Sequence, residues 1–184
     1  MPIPIATSRF NNETWTENGK YRRQIERHLH QNLEEQNQGQ QEQESNICIY
    51  GAPLQITPKI PLNALLFIIE MNNSTNRIEG IGLIRNLPQF DKYYKVYQEG
   101  NYNRYIYKGI HYCSREQLER HNNNLVAVLD YILFKEKTHL KRGSGLTLLP
   151  DKLMNHKKCL DINLNLHQAI QHIFQTIFQF TSTK

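Results

Sequence analysis

Two β-rich segments separated by a turn constrain the fold of this chain more than any other part of its sequence. The first segment, ALLFIIEM (64–71), is almost continuously apolar, which is typical of a strand covered on both faces. The residues NNSTN favour a turn, and the second segment, RIEGIGLIRN (77–86), follows them. The pattern predicts an antiparallel hairpin in the protein interior. Gly80 and Gly82 share one face of the second arm, where they indicate a bulge, a sharp bend or the close approach of another backbone.

Two helices are predicted after the hairpin. Ser114 and Gln117 form a capping box ahead of apolar residues at helical spacing, which predicts a helix over 115–134. Between the hairpin and this helix, a tyrosine-rich stretch contains two or three short strands. The second helix lies near the carboxyl terminus and carries a regular apolar face: Leu166, Ile170, Ile173, Phe174, Ile177 and Phe178. These elements together predict an α+β fold.

The domain organisation is predicted from changes in composition. Residues 1–33 are interpreted as an N-terminal extension that contains one amphipathic helix. The stretch 34–46 has no apolar residue from Glu34 to Asn46 and is interpreted as a flexible linker. Residues 47–184 then form the α+β core domain with its C-terminal helix. The predicted N-terminal helix has a narrow apolar stripe, formed by Tyr21, Ile25, Leu29 and Leu33.

Charge and cysteine content narrow the class of protein. The chain has 22 basic and 17 acidic side chains, a formal net charge of +5 that favours polyanionic partners. Its three cysteines are widely spaced and odd in number, which does not suit a disulfide framework and favours a reducing compartment. No stretch is long and apolar enough for a signal peptide or a membrane span. We therefore expect an intracellular protein of the cytoplasm or nucleus without membrane contact.

Motifs for nucleotide cofactors and metal ions are incomplete. GIGLIR has Arg85 where the dinucleotide fingerprint has its third glycine, GSGLTL fails likewise, and the P-loop pattern is absent. His111 with Cys113, and His156 with Cys159, are possible metal-ligand pairs, but neither has a second pair at zinc-finger spacing. We expect no cofactor and no metal ion.

A catalytic site is not specified by the sequence. Cys113, His139 and Asp130 contain the groups of a nucleophilic triad, but nothing in their spacing selects them. Glu70, at the end of the apolar strand, is a candidate general base, and the favoured interpretation is a strand-end carboxylate beside the turn. An enzymatic function is the third hypothesis, after a binding function and a structural function.

Cations and tyrosines alternate between the hairpin and the helix over 115–134. Cations hold phosphates and aromatic rings stack on bases, so the pattern is typical of nucleic-acid binding. An equally open interpretation is a sheet with half-buried tyrosines and solvated lysines. The predicted binding residues in this region are Arg85, Arg104, Tyr107, Lys108, Tyr112 and Arg115.

The stretch HLKRGSG (139–145) has two interpretations. In the first, it ends the preceding helix, with Gly143 as a left-handed cap and the cations beside the negative end of the helix dipole. In the second, Lys141, Arg142 and Ser144 belong to a site where exposed backbone amides and two cations hold a phosphate.

The stretch LLFIIEMNNSTNRIEGIGLIRN resembles the paired strands of the PUA-like group of small β-barrels, which includes the YTH, EVE and ASCH domains. The resemblance covers about 47–154 and implies a small mixed, mostly antiparallel β-barrel flanked by helices. Many of these domains bind RNA or modified bases. The tryptophans of the YTH methyl-base cage have no convincing equivalents, because Trp15 lies before the predicted linker. A cage here would use Tyr or Phe.

The leading hypothesis is a nucleic-acid-binding module without catalysis, for RNA more than DNA; whether it reads a modified base is left open. The alternative is a structural or protein-interaction component that docks through its terminal helices. Its partner would be another protein or a second copy bound through the C-terminal helix. The composition is similar to that of proteins from large DNA viruses of protists, which adds a virion or host-cell role to either function.

Overall fold

The computed structural model of this protein describes residues 2–34, 46–135, 137 and 139–179. The strands in this part of the chain are β1 (Ile5–Phe10), β2 (Cys48–Ala52), β3 (Leu65–Asn72), β4 (Arg77–Arg85), β5 (Tyr105–Gly109), β6 (His111–Ser114) and β7 (Thr147–Leu148). The α-helices are α1 (Asn12–Glu34), α2 (Arg115–Phe134), α3 (Asp151–Met154), α4 (Lys157–Asp161) and α5 (Leu166–Phe178). A 3₁₀ helix, Gly100–Asn103, precedes β5.

The strands form two sheets. The larger sheet has the order β6-β4-β3-β1-β7, with β1 parallel to β3 and the other neighbours antiparallel. β2 and β5 form a separate antiparallel pair. The predicted α+β class with a mostly antiparallel sheet is confirmed, but the described strands do not form a closed barrel. β5 pairs with β2 on one edge and bridges Gln89 through Ile106, so it does not extend the larger sheet.

The N-terminal residues are integrated into this fold. Residues 1–33 were expected to form an extension, whereas β1 lies inside the larger sheet between β3 and β7. Ile5, Ala6 and Phe10 are almost completely buried, and α1 follows directly. An inner strand covered on both faces lacks the alternation that identifies a surface strand, which explains why β1 was missed. Most of the predicted linker, residues 35–45, lies outside the described residues.

The larger sheet has a hydrophobic core on each face. Phe67, Ile69 and Met71 of β3 pack on the helical side with α2 and α5. Leu66 and Ile68 point to the other side and pack with β2 and β5. Each fully buried side chain of this type stabilises the fold by about 1.5–3 kcal/mol. This two-sided burial accounts for the apolar sequence of β3, and the predicted hairpin with β4 is confirmed.

The two predicted helices are present, but α2 is interrupted at Asn122, whose φ of −159° and ψ of 85° are not helical. α2 begins with the capping box, in which the Ser114 hydroxyl accepts from the Gln117 amide and the Gln117 side chain accepts from the Ser114 amide. In α5, Ile170, Ile173 and Phe174 are buried in the core of their own chain. No helix among the described residues is long and apolar enough to cross a membrane.

Candidate functional site

A cleft of about 380 Å³ opens where β1 meets the start of α1. Small-molecule sites have volumes from about 300 Å³ upward. The turn after β3, the end of β2, the segment around the 3₁₀ helix and the HLKRGSG stretch contribute the other walls. This cleft is called the junction cleft, and its lining residues include Arg9, Glu17, Tyr97, Tyr102 and Gly143.

Arg9 supplies the positive charge among the residues that line the junction cleft. Its Nε donates to the carbonyl of Leu140, and its Nη1 donates to the hydroxyl of Thr147 at 3.1 Å. Within the described part of the chain, no carboxylate lies within ion-pair distance of this guanidinium. Burial lowers the pKa of Arg9, but a guanidinium stays protonated at neutral pH. The cleft therefore holds a half-buried cation that a hydrogen-bond acceptor of a ligand would stabilise.

The HLKRGSG stretch forms a wall of the cleft. α2 ends at Phe134 with Lys135 as its C-cap, so Gly143 does not cap this helix. Gly143 and Gly145 have φ angles of 107° and 69°, which favour glycine. A Cβ atom placed on Gly143 would lie 3.7 Å from Cζ of Arg9. The loop therefore packs directly on the guanidinium.

The cations of this loop lie beside backbone amides that are available to a ligand. The carbonyl of Lys141 accepts from Nδ2 of Asn73 at 2.9 Å, which joins the loop to the turn after β3. Arg142 and Ser144 are exposed. The amides of residues 143–145 make no hydrogen bond within the part of the chain that the structure describes. Amides and cations in this arrangement suit an anion, as the phosphate interpretation of the sequence requires.

Two tyrosines form an aromatic wall. The rings of Tyr97 and Tyr102 meet edge to face, with centroids 6.2 Å apart. The Tyr97 hydroxyl accepts from Nδ2 of Asn18 at 2.9 Å, and burial raises the pKa of Tyr97 to about 12. Tyr102 is half-buried. A Cβ atom on Gly51 would lie 2.1 Å from the Tyr102 carbonyl oxygen, so glycine is required for this close approach.

Carboxylates also line the cleft. The Glu17 carboxylate accepts from the backbone amide of Gln98 at 3.2 Å, and the Glu99 carboxylate accepts from the amide of Asn101 at 3.2 Å. Glu13 is exposed at the start of α1. Three carboxylates beside one guanidinium disfavour a phosphate deep in the cleft and favour a ligand that presents hydrogen-bond donors there.

Three of the predicted binding residues lie outside the cleft on the surface. Arg85 is exposed and donates to a backbone carbonyl at 3.1 Å. Arg104 is exposed, with its Cζ 5.6 Å from the ring centroid of Tyr105. Lys108 is half-buried and donates to the hydroxyl of Tyr94 at 2.9 Å. Arg104 directly precedes β5, and Lys108 lies within it.

Three other predicted binding residues are engaged in internal contacts. Tyr107 is fully buried, and its hydroxyl accepts from a backbone amide at 3.1 Å. The ring centroid of Tyr112 lies 4.6 Å from Cζ of Arg22. Arg115 pairs with Asp130 at 2.8 Å. This placement favours structural roles for these three residues, because alternation of cations and tyrosines does not distinguish exposed side chains from packed ones.

Glu70, the candidate general base, lies in the interior. One carboxylate oxygen accepts from the guanidinium of Arg22 and from the Tyr50 hydroxyl, the latter at 2.9 Å. Glu70 does not line the junction cleft. Its contacts describe a buried ion pair that joins α1 to β3. Among the described residues, no group of His, Cys, Asp or Glu is arranged to hold a metal ion.

The β1–α1 residues of the cleft were not predicted as functional. One local signal marks this junction: the side chain of Asn11 accepts from the Thr14 amide at 2.8 Å, and the Thr14 hydroxyl accepts from the Asn11 amide at 3.0 Å. This reciprocal cap begins α1. It locates the helix start, but it does not indicate which distant loops lie above it.

Comparison of the chain with protein-family models, curated proteins and solved structures gives no match. The resemblance to the PUA-like group therefore stays a prediction.

Proposed function

We propose that the protein is a nucleic-acid-binding module for single-stranded RNA that holds one nucleotide in the junction cleft. The observation that carries this proposal is the half-buried guanidinium of Arg9, which has no carboxylate partner among the described residues and lines the cleft. A nucleotide joins a planar base to a phosphate. The cleft joins the ring of Tyr102 to the guanidinium of Arg9. The cations of the HLKRGSG stretch do not line the cleft, but they lie on the loop that forms one of its walls. Rings, cations and backbone amides are the groups that bind those two parts.

The charge distribution suggests one orientation of the nucleotide. Lys141, Arg142 and the amides of 143–145 stand on the loop and suit the phosphate. The carboxylates of Glu17 and Glu99 lie among the lining residues and suit the amino groups of a base. The base therefore enters beside Tyr102 while the phosphate stays at the rim.

RNA as the ligand, and a modified base within it, follow from the resemblance of the hairpin to the PUA-like domains. Tyr102 would take the place of a cage tryptophan, and the buried ring of Tyr97 would support it from behind. Trp15 contributes indirectly, because its ring packs on the lining residue Phe10 with a centroid distance of 5.3 Å. A PUA-like origin of the fold belongs to the same proposal, although the described strands form two sheets and no closed barrel. Its support is the core shared by the larger sheet and the β2–β5 pair.

The alternative function is a component that docks through its terminal helices. The apolar faces of these helices are largely buried within the chain, which leaves little apolar surface for a partner. Ile170 and Phe174 of α5 are buried in the core of their own chain. Tyr21 and Ile25 of α1 are half-buried against the second core, while Leu29 is 47% exposed. Concentration-dependent self-association without RNA affinity would favour this alternative.

The test is the salt dependence of binding to a single-stranded RNA octamer, followed by fluorescence anisotropy. Replacing Lys141 and Arg142 together with alanine should weaken binding and reduce the salt slope by about two, because each cation that neutralises a phosphate adds about one unit to the slope. The matched control replaces Lys152 and Lys157, which are exposed on α3 and α4, and removes the same charge.

The two double variants separate local contact from net charge. A specific loss of affinity in the Lys141/Arg142 variant supports the cleft as the binding site. Equal losses in both variants would reduce the effect to general electrostatics and contradict it. Absence of RNA binding by the unmodified protein would contradict the function itself.

A further inference from the structure

Aromatic rings and cations cover the surface along β5 and the segment before it. The bridge between Gln89 and Ile106 brings Phe90 beside Tyr105, with ring centroids 6.5 Å apart. The Arg104 guanidinium lies 5.6 Å from the centroid of the same Tyr105 ring. The Tyr105 ring thus neighbours both the ring of Phe90 and the guanidinium of Arg104.

A second group of cations lies around the ring of Tyr94, which is 3% exposed. The Nζ atoms of Lys92 and Lys108 lie 5.2 and 4.6 Å from the ring centroid of Tyr94. The Tyr94 hydroxyl donates to Asp91 at 2.7 Å and accepts from Lys108 at 2.9 Å. The two groups together are called the β5 platform: Phe90, Lys92, Tyr94, Arg104, Tyr105 and Lys108.

The exposure and charge of the β5 platform indicate the chemistry of its partner. Phe90 is 70% exposed, and the adjacent Tyr93 is exposed to the same extent. Three cations stand against one neighbouring carboxylate, Asp91, which is already bonded to Tyr94. The exposed ring of Phe90 and the half-buried ring of Tyr105 stand beside cations. This combination matches a ligand that has flat apolar faces and negative charge, as an unpaired nucleic-acid strand does.

The β5 platform and the junction cleft are built on neighbouring residues of the chain. Arg104 is the C-cap of the 3₁₀ helix that contains the lining residue Tyr102. Tyr105 pairs with Ala52, whose neighbour Gly51 also lines the cleft. A strand that leaves the cleft past Tyr102 meets Arg104 and Tyr105 next.

We infer that the β5 platform binds the nucleotides that flank the one in the junction cleft. The ligand is then an extended single strand, because base pairing would hide the faces that stack on Phe90 and Tyr105. This inference rests on the proposed function and adds a second binding surface for the flanking nucleotides. Arg104 holds the backbone, and Phe90 stacks on a base.

The test compares ligands of different length on three proteins: the unmodified chain, Phe90→Ala/Arg104→Ala, and the control Leu160→Ala/Lys157→Ala. The control also removes one exposed apolar side chain and one cation, but on α4. Two kinds of ligand are used. Binding of the four nucleoside 5′-monophosphates is measured by NMR, and binding of an RNA octamer is measured for the single strand and for its duplex.

The platform variant should lose about 5- to 150-fold in octamer affinity, as the removal of one stacking ring does. Monophosphate binding should stay unchanged, and the duplex should bind more weakly than the single strand.

The outcomes distinguish the platform from the cleft. Octamer binding as strong as in the control variant, with monophosphates still bound, would overturn the platform and leave the cleft in place. Platform-dependent octamer binding without monophosphate binding would support the platform and overturn the cleft. Loss of self-association in the platform variant, with no RNA binding by any protein, would overturn both and identify a protein interface. A charge reversal, Lys92→Glu/Arg104→Glu, repeats the comparison without removing an aromatic ring.

Discussion

Arg22 of α1 and Glu70 of β3 form an ion pair in the protein interior, where their side chains are 9% and 0% exposed. The Tyr50 hydroxyl donates to the same carboxylate oxygen, and the Tyr112 ring lies against the guanidinium. The pair joins two elements that are far apart in the sequence, since Arg22 and Glu70 are separated by 48 positions. It therefore holds α1 on the sheet and positions the start of α1 at the junction cleft.

Breaking this pair should destabilise the protein strongly. Glu70→Leu leaves the Arg22 charge buried without compensation, and we expect a loss of about 3–5 kcal/mol in the free energy of unfolding. Replacing both residues with apolar ones, Arg22→Met/Glu70→Leu, should recover much of that loss. Urea denaturation measures both. A single variant within about 1 kcal/mol of the parent would mean that the charge is not buried.

Local signals in the sequence predicted a large part of the fold. The apolar arm of β3 and the turn after it predict their hairpin, and the Ser114 capping box predicts the start of α2, because each feature depends on residues close in the chain. β1 was missed because its main partner, β3, is distant, and because Thr7 and Ser8 are polar yet buried. Pairing with a distant parallel strand has no local signature.

The candidate site was predictable only in part, for the same reason. The HLKRGSG stretch has the composition of an anion-binding loop, and its cations could be named from sequence. Its position over Arg9 depends on the hydrogen bond to Leu140 and on the packing of Gly143 against the guanidinium. Tyr107 shows the converse: its pattern is that of a surface tyrosine, and its neighbours bury it completely.

The three cysteines should be inert in the folded protein. Burial raises the pKa of Cys48 and of Cys113 to about 12 and also raises the pKa of Cys159. A raised pKa keeps the thiol protonated, so at about pH 8 little of the reactive thiolate is present. Mass spectrometry after iodoacetamide treatment should find no modification in the native protein and three modifications after denaturation. Rapid labelling of any thiol in the native protein would contradict the burial of that cysteine.

Gly51→Ala should impair both stability and RNA binding. The added Cβ would lie 2.1 Å from the Tyr102 carbonyl oxygen, so the backbone at the cleft must move. Overpacking of this kind costs about 1–3 kcal/mol. The control is Gly100→Ala, where a Cβ would meet no atom within 4 Å and stability should change by less than about 0.5 kcal/mol. Thermal melts and anisotropy titrations check the pair, and equal effects of both substitutions would refute the close approach.

Phe174→Ala should test whether α5 belongs to the core of the chain. The Phe174 ring is fully buried and lies 5.0 Å, centroid to centroid, from Phe67 of β3. Removal of a buried phenyl ring costs about 3–5 kcal/mol, measured by chemical denaturation. Gln175→Ala, on the exposed side of the same helix, is the control and should have little effect. A Phe174 variant as stable as this control would place α5 outside the core.

The most direct test of the central claim is to find which residue touches the bound base. An RNA octamer that carries 5-iodouracil at a single position is irradiated in complex with the protein, and mass spectrometry identifies the peptide that carries the adduct. The label is moved along the octamer one position at a time. If the junction cleft holds a nucleotide, at least one label position should form its adduct on Tyr102, which is half-buried in the cleft wall. Adducts confined to α3, α4 or α5 at every label position would contradict the account.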